Sequence, residues 1–585
     1  VAEASEEGRQ AMRQFKLPPG WQVELIAAEP DLANPVAFAF DEQERIYVVE
    51  THRLGEGVLD IRGRGGWPSE GFKRDLPAGR RTRLNEETLD ADLANRTVED
   101  RERMLRMYFA ENAGQLEVQS DRVKRLVRGA DGKVTGSTVF ADGFAHLTDG
   151  LASGVLARDG EVWFTNIPHL WKLKDRDDDG VAEGRESLHH GYGVRVGFLG
   201  HDLHGLVMGP DGRLYFTVGD RGASVVTREG KRLETPDTGA VFRCDPDGRN
   251  LEIYATGLRN PQELVFDAWG NLWTGDNNSD GGDQARWTYL VEGGDSGWHI
   301  GWQFIEWPQA RGPWNAEGMW RPEKAVDVAH LIPPLANIGA GPSGVSYGYG
   351  TGLPAELAGR FFMVDFRGGP SGIWSIQVGP KGAGYEVTEA EQLLWNALPT
   401  DVEVGPDGGL YWTDWVEGWG KTGKGRIYRA YHPDAAGTPE ALETRRLLKK
   451  DLVEETADTL RSWLGQPDMR VRQRVQFALV QRGEVGWLRV EAVRGLTRWG
   501  RLHAIWGLGQ LAARHPEAVV GLRVLLADPD PEIRGQAARV LGDVRDAGSA
   551  AALTGMLSDP EARPRFFAAI ALGRLSARES VPALL

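Results

Sequence analysis

Through the first three-quarters of this 585-residue chain, apolar and polar positions alternate in short runs, paired around Asp-Gly or a near relative. Val36 to Glu50, Gly150 to Thr165, His204 to Asp220, Asn260 to Asp276 and Thr400 to Asp414 repeat one phrase, and Gly341 to Asp365 holds a degenerate copy. In each, an alternating apolar run, a turn and an aromatic-rich run end near a carboxylate. Period-2 alternation marks a half-buried strand, and Asp-Gly supplies the positive φ of a tight hairpin. Such hairpins at intervals of tens of residues predict a mainly β fold, a six-bladed β-propeller, with function at the channel mouth. After about Arg429 the period becomes helical, as in Val471 to Val480.

Leu526 to Gly542 and Leu557 to Gly573 look alike: each opens on Asp-Pro, which starts a helix, and closes on Gly, which stops it. They resemble HEAT repeats, helix pairs stacked into an α-helical solenoid. The chain thus divides into an N-terminal arm with a short helix (1–17), the propeller (18–432) and a HEAT-like solenoid (433–585) that looks cut short at Leu585. An insertion at about 53–127, rich in Arg, Asp and Glu, contains one amphipathic helix from Glu99 to Tyr108.

The net charge of −16, with no strongly basic run to offset it, excludes nucleic acid as a partner. The single cysteine, Cys244, rules out an internal disulfide and covalent haem attachment through Cys-x-x-Cys-His, and reads as a small buried strand residue. No apolar run is long enough to span a membrane. The chain opens at Val1 without a signal segment, so it was processed or trimmed, or was never exported.

Asp175, Asp177, Asp179, Glu183 and Glu186 fall at the oxygen-ligand positions of an EF-hand loop, with Gly180 at its sharp turn and Val181 offering a carbonyl. That pattern predicts a structural Ca²⁺; the alternative is a solvated acidic turn. His201 stands with His204 at the entrance of the third blade, where a neutral imidazole can take a proton at neutral pH. If that stretch enters the blade extended, alternation keeps the two rings from both facing the channel, and His201 is the base. Its companions are Arg259 and Asn260 before the next blade, the acidic stretch Asp276 to Asp283, and Asp365 with Arg367.

This series resembles the soluble quinoprotein glucose and sorbosone dehydrogenases. With HEAT repeats following, it is similar above all to the membrane-bound-dehydrogenase-like proteins of planctomycetes, which often end in a cytochrome c. The shared phrases include Leu17 to Trp21, Gly257 to Pro261, Val291 to Trp298, Gly339 to Gly344 and Asp414 to Gly420. The resemblance implies pyrroloquinoline quinone (PQQ) and Ca²⁺ above the channel. It makes His201 the general base, sets Arg259 and Asn260 on the quinone and Arg367 near its carboxylates, and puts Asn278, Ser279 and Asp283 at the cofactor calcium. Asn278 and Ser279 replace the family's glycine and proline, and no lysine stands at the family's cofactor position. Lys421 and Lys424 would substitute, or belong to a solvated loop.

The implied activity is oxidation of a sugar, aldose or related alcohol. Electrons would pass to an external cytochrome c or quinone, in the periplasm or another exported setting, with a protein partner on the HEAT surface. Two other readings stay open: a calcium-dependent propeller hydrolase or lactonase in which His201 activates water, and a non-catalytic scaffold that binds carbohydrate through channel-mouth tryptophans.

Overall fold

The computed structural model describes residues 1–61, 86–129, 132–301, 312–322 and 331–585. Six four-stranded antiparallel sheets form the blades. Their innermost strands are Pro35–Phe40, Ala152–Arg158, Leu203–Met208, Val265–Phe266, Pro342–Tyr347 and Pro399–Val404, numbered here as blades 1 to 6. Each pairs with the strand that follows it, as the repeated phrase predicts. Gln22–Ala27 becomes the outermost strand of blade 6, with Gln22 opposite Tyr431 and Leu25 opposite Tyr428, so the chain's beginning closes the ring.

The carboxylate that ends the repeat has a backbone duty. Glu50 accepts from the Ala33 amide (2.8 Å), Asp276 from those of Arg259 (3.0 Å) and Asn260 (2.8 Å), Asp365 from those of Ala340 and Gly341 (both 3.0 Å), and Asp414 from that of Leu398 (3.2 Å). Each acid satisfies the amides of the loop that enters its own blade, groups that would otherwise be buried unpaired.

The insertion ends earlier than its composition suggests, because Asp121–Arg128 is the third strand of blade 1. Two of its cations find acidic partners, Lys124 with Glu50 (3.7 Å) and Arg125 with Asp175 (3.1 Å). The amphipathic helix spans Val98–Phe109 and starts at a capping box between Thr97 and Asp100. Its Met104, Leu105 and Phe109 pack with Leu59, Ile61, Leu147, Val196 and Phe198, over the face where the inner strands begin.

The solenoid packs around one continuous core from Leu447 to Leu572. Its repeat helices Pro531–Asp543 and Ala562–Arg574 fall where the Asp-Pro phrases place them. One face docks on the hairpin turns at the far end of the propeller. Arg445 pairs with Glu44 of blade 1 (2.5 Å), and Phe477 lies under the Arg158 guanidinium of blade 2 (4.5 Å). Gln476 and Gln510 donate to Pro210 O of blade 3 (2.6 and 2.9 Å) and Arg539 to Gly270 O of blade 4 (2.7 Å). The Met469 amide donates to Tyr349 O of blade 5 (3.0 Å), and Arg470 to Val404 O of blade 6 (2.7 Å). Helix Met469–Gln481 therefore reaches blades 2, 3, 5 and 6 and crosses that end of the channel. The surface expected to await another protein is in part occupied by the chain's own propeller. Among the described residues no helix is long and apolar enough to cross a membrane.

Candidate functional site

His201 lies in the loop that precedes Leu203–Met208, so strand alternation does not apply to the two histidines, and their hydrogen bonds differ. His201 Nδ1 donates to Asp220 Oδ1 (2.6 Å), and Asp220 Oδ2 accepts from Trp298 Nε1 (2.9 Å). Burial favours the neutral acid, but the His201 ring, Arg259 and the Trp298 indole hold Asp220 below the usual carboxylate range. An ionised Asp220 fixes the Nδ1–H tautomer and puts the neutral ring's acceptor lone pair on Nε2. His204 instead turns into the loop, its Nε2 2.9 Å from Gly200 O, and burial lowers it to about 4.

Arg259 and Asn260 enter blade 4 with their amides on Asp276. The Arg259 guanidinium lies between the rings of Phe198 (5.7 Å) and Trp298 (5.8 Å) and reaches Asp280 Oδ2 (3.2 Å). Asn260 Nδ2 donates to Gly200 O (3.2 Å), while its buried Oδ1 has no hydrogen-bond partner among the described residues. His201, Asp220, Arg259, Asn260 and Asp280 are thus brought together between blades 3 and 4. Asp283 stands behind them: its carboxylate accepts from the Ser279 amide (2.7 Å), Ser279 Oγ (2.8 Å) and Trp314 Nε1 (2.8 Å), and Asn278 Nδ2 donates to its carbonyl (3.3 Å). These bonds shape the turn that carries Asn278 and Ser279.

Asp220 and Trp298 are absent from the candidates read in the sequence, although a signal for Asp220 exists. The position of Asp276 in blade 4, opposite Pro261, is held in blade 3 by Val218, opposite Leu203. Asp220 lies beyond the paired strand, and its carboxylate binds an imidazole instead of loop amides.

The other cofactor candidates sit on blades 5 and 6. Arg367 bonds Asp365 (2.6 Å), with its side chain 44% exposed. Lys421 pairs with Glu56 and donates to His52 O, and Lys424 pairs with Glu7 (2.6 Å), which ties down the helix Glu7–Ala11. Both lysines are already partnered, and no contact among the described residues joins them to His201.

Asp175, Asp177, Asp179 and Glu183 bring one carboxylate oxygen each within 4.8 Å of the others. They lie between the strands His169–Lys174 and Gly184–His190. Gly180 takes φ +97°, and its amide bonds Asp175 Oδ2 (2.8 Å). Val181 follows on the exposed turn, its amide on Asp179 Oδ1 (2.8 Å). Glu186 falls outside the cluster and pairs with Arg228 (2.5 Å). In an EF-hand a helix returns the last acid to the ion, whereas the strand here carries Glu186 away.

The family model for glucose/sorbosone dehydrogenase matches residues 172–421, which include the acidic loop and the residues around His201. A domain of unknown function (DUF7133) matches residues 7–294, and HEAT repeats match 488–573. The aldose sugar dehydrogenase YliI of Escherichia coli (strain K12) is 26% identical over 301 residues, 46% of this chain and 75% of that protein. Quinoprotein glucose dehydrogenase B of Acinetobacter calcoaceticus is 28% identical over 124 residues, 17% of this chain and 26% of that protein. The PQQ-bound aldose sugar dehydrogenase structure from Streptomyces coelicolor superposes with a TM-score of 0.38 at 16% identity, covering 71% of this chain and 99% of that one. The chain thus carries a glucose/sorbosone dehydrogenase domain in its propeller and HEAT repeats in its C-terminal part.

Proposed function

We propose that the chain is a quinoprotein dehydrogenase that oxidises a sugar, aldose or related alcohol, with His201 as the base. The observation that carries this is the buried His201–Asp220 pair beside a buried arginine. The residues fit a planar, polyanionic quinone: Arg259 offers a guanidinium set between two aromatic rings, Asn260 an acceptor lacking a partner, and Arg367 a half-exposed cation. PQQ, when bound, supplies a hydride acceptor. His201 Nε2 takes the proton of the substrate hydroxyl, and Asp220 stabilises the imidazolium that forms. Trp298 holds Asp220 in place, and Arg259 offers fixed positive charge to a developing oxyanion. Asn278 and Ser279 would offer main-chain carbonyls to a Ca²⁺ beside the cofactor, with Asp283 keeping their turn in shape. Electrons leave to an external cytochrome c or quinone in an exported compartment.

The test is reconstitution with PQQ and Ca²⁺, followed by dye reduction on a panel of sugars and alcohols. His201→Ala should lower kcat by roughly a hundredfold or more, the scale of a lost general base, with PQQ titration unchanged. His204→Ala should lower the melting temperature and leave turnover in place. Dye reduction without PQQ, or wild-type turnover in His201→Ala, overturns the reading.

A further inference from the structure

We infer that Trp419 is a stacking platform for a pyranose ring, which makes the site one for saccharides of more than one unit. The inference deepens the sugar-oxidising function proposed above and rests on it for the identity of the reacting ring. Trp419 is 69% exposed, the most exposed aromatic side chain among the described residues. Indoles are seldom left so open, because they have the most apolar area to hide.

The exposed ring is also held still. Phe366 meets it edge-on at 5.1 Å and 77°. Gly368 provides the seat: a β-carbon there would lie 2.0 Å from the indole Nε1, and its φ of +69° favours glycine. The hairpin that presents Trp419 is fastened at its base. Trp415 is buried and donates through Nε1 to Gly420 O (3.2 Å), and the Val416 amide bonds Asp414 Oδ1 (2.8 Å). Val416 takes φ +80°, a left-handed conformation that a β-branched residue keeps only under constraint. A strained loop that ends in an open, seated indole is preorganised for a ligand.

The surroundings indicate which ligand. Arg367, between the two platform contacts Phe366 and Gly368, is 44% exposed, and Lys421, two residues after the indole in the same loop, pairs with Glu56, which is 41% exposed. An apolar ring face rimmed by charged donors and acceptors matches a pyranose, whose axial C–H faces are apolar and whose hydroxyls project at the edge. A protein partner would need a broader apolar surface than one indole. Blade 6 faces blade 3 across a six-membered ring, so the platform stands on the rim opposite His201. A saccharide stacked there can direct its next unit toward the mouth.

The experiment is isothermal titration of the full chain with glucose, maltotriose and cellotriose, comparing wild type with Trp419→Ala, Trp419→Tyr and Gly368→Ala. At least one trisaccharide should bind. Trp419→Ala and Gly368→Ala should weaken it by about five- to tenfold, the scale of one lost ring stack, and Trp419→Tyr should retain it. Glucose should bind all four proteins alike. In wild type the same trisaccharide should protect Trp419 from N-bromosuccinimide oxidation, read by peptide mass, a readout that needs no variant to fold. Trisaccharide affinity unchanged in Trp419→Ala, no trisaccharide binding, or no protection overturns the platform. Trp419-dependent binding in a chain that reduces no dye with PQQ would instead overturn the oxidation reading and leave the platform standing.

Discussion

Where the inner strands begin, loops between and within blades converge side chains: the His201 loop, the Arg259 turn, the acidic stretch to Asp283 and the capping insertion over Phe198. Where those strands end, the turns are short, and much of what they offer is backbone, beside side chains such as Glu44 and Arg243. Pro210, Gly270, Tyr349 and Val404 present carbonyls that glutamine, arginine and main-chain amides of the solenoid read one after another. A tight turn fixes a carbonyl within a fraction of an ångström and exposes few side chains, which suits a rigid dock. A long connection can bring an acid, an imidazole and a guanidinium from separate blades into one place, which suits chemistry. One repeated hairpin supplies both faces.

The docked face can be broken at Arg243. Its buried guanidinium donates to Glu252 (2.7 Å) and Glu292 (3.0 Å) of the propeller and to Asp543 (3.2 Å) of the solenoid, and Arg574 joins the same acids from the next helix. Burial opposes ionisation of Glu252, but Arg243, Arg213 and Arg574 bring it down to about 2. Arg243→Ala leaves three acids short of charge and should cost about 3–5 kcal/mol, the scale for breaking a buried ion pair from one side. Urea unfolding should split into two transitions as the solenoid separates from the propeller. A single transition displaced by under about 1 kcal/mol would mean that Arg574 alone holds the seam.

The difference between the faces also sets how much the sequence discloses. The hairpins and the Asp-Pro helices are written in local periodicity and turn chemistry, and the structure has them where that pattern places them. Ring closure by Gln22–Ala27 leaves no such mark, because its partner Arg426–Tyr431 lies at the far end of the propeller. Asp121–Arg128 is disguised by charges that find buried partners. On the docked face many of the solenoid's bonds go to main-chain carbonyls, which no side-chain pattern in the propeller reveals. At the site His201 and Arg259 stand out by type and Asp220 ends a copy of the repeat, but its bond to His201, and Trp298 behind it, become visible only in the fold. Glu186 shows the reverse failure: its spacing matches an EF-hand, and the strand after the loop removes it.

The acidic loop of blade 2 lies at the edge of the docked end, where its Asp178 pairs with Arg45 beside the docked Glu44. Arg125 ties Asp175 (3.1 Å) and Asp178 (3.0 Å) to blade 1, so the loop staples two blades at the rim. The Asp175 side chain is 8% exposed, with its Oδ1 buried and lacking a partner. A divalent cation there should raise stability by about 2.7 kcal/mol at a hundredfold excess over its Kd. Thermal unfolding in millimolar Ca²⁺ against excess chelator measures this. Asp177→Ala should lose the shift and Glu186→Ala should keep it; an equal shift in Asp177→Ala would move the ion elsewhere.

The smallest expected effect lies between the two faces, inside the channel. Glu263 of blade 4 shares a hydrogen bond with Asp401 of blade 6, and since those blades are not neighbours the pair meets across the axis. Glu403, two residues further along the same inner strand, accepts from Ser346 Oγ (3.2 Å). Burial first, then the neighbouring acids, raises Glu263 and pushes Glu403 up to about 8; burial takes Asp401 to about 6. Arg470, the cation nearest Glu403, is already bonded to Asp468, Val404 O and Gly405 O. The folded chain therefore keeps protons that the unfolded chain releases above about pH 4.5. Folded binding more protons than unfolded makes stability fall as pH rises, here from about 4.5 through 8. Glu403→Gln keeps the shape and the Ser346 contact without a proton to lose. It should match wild type near pH 5 and exceed it near pH 9 by at least about 1 kcal/mol, the worth of a single unit of a shift that runs from 4.5 to about 8. Urea midpoints at those two pH values decide it. A variant whose midpoint drops as far as that of wild type would assign the alkaline loss to groups other than Glu403, with Glu263 and Asp401 across the axis the next to test.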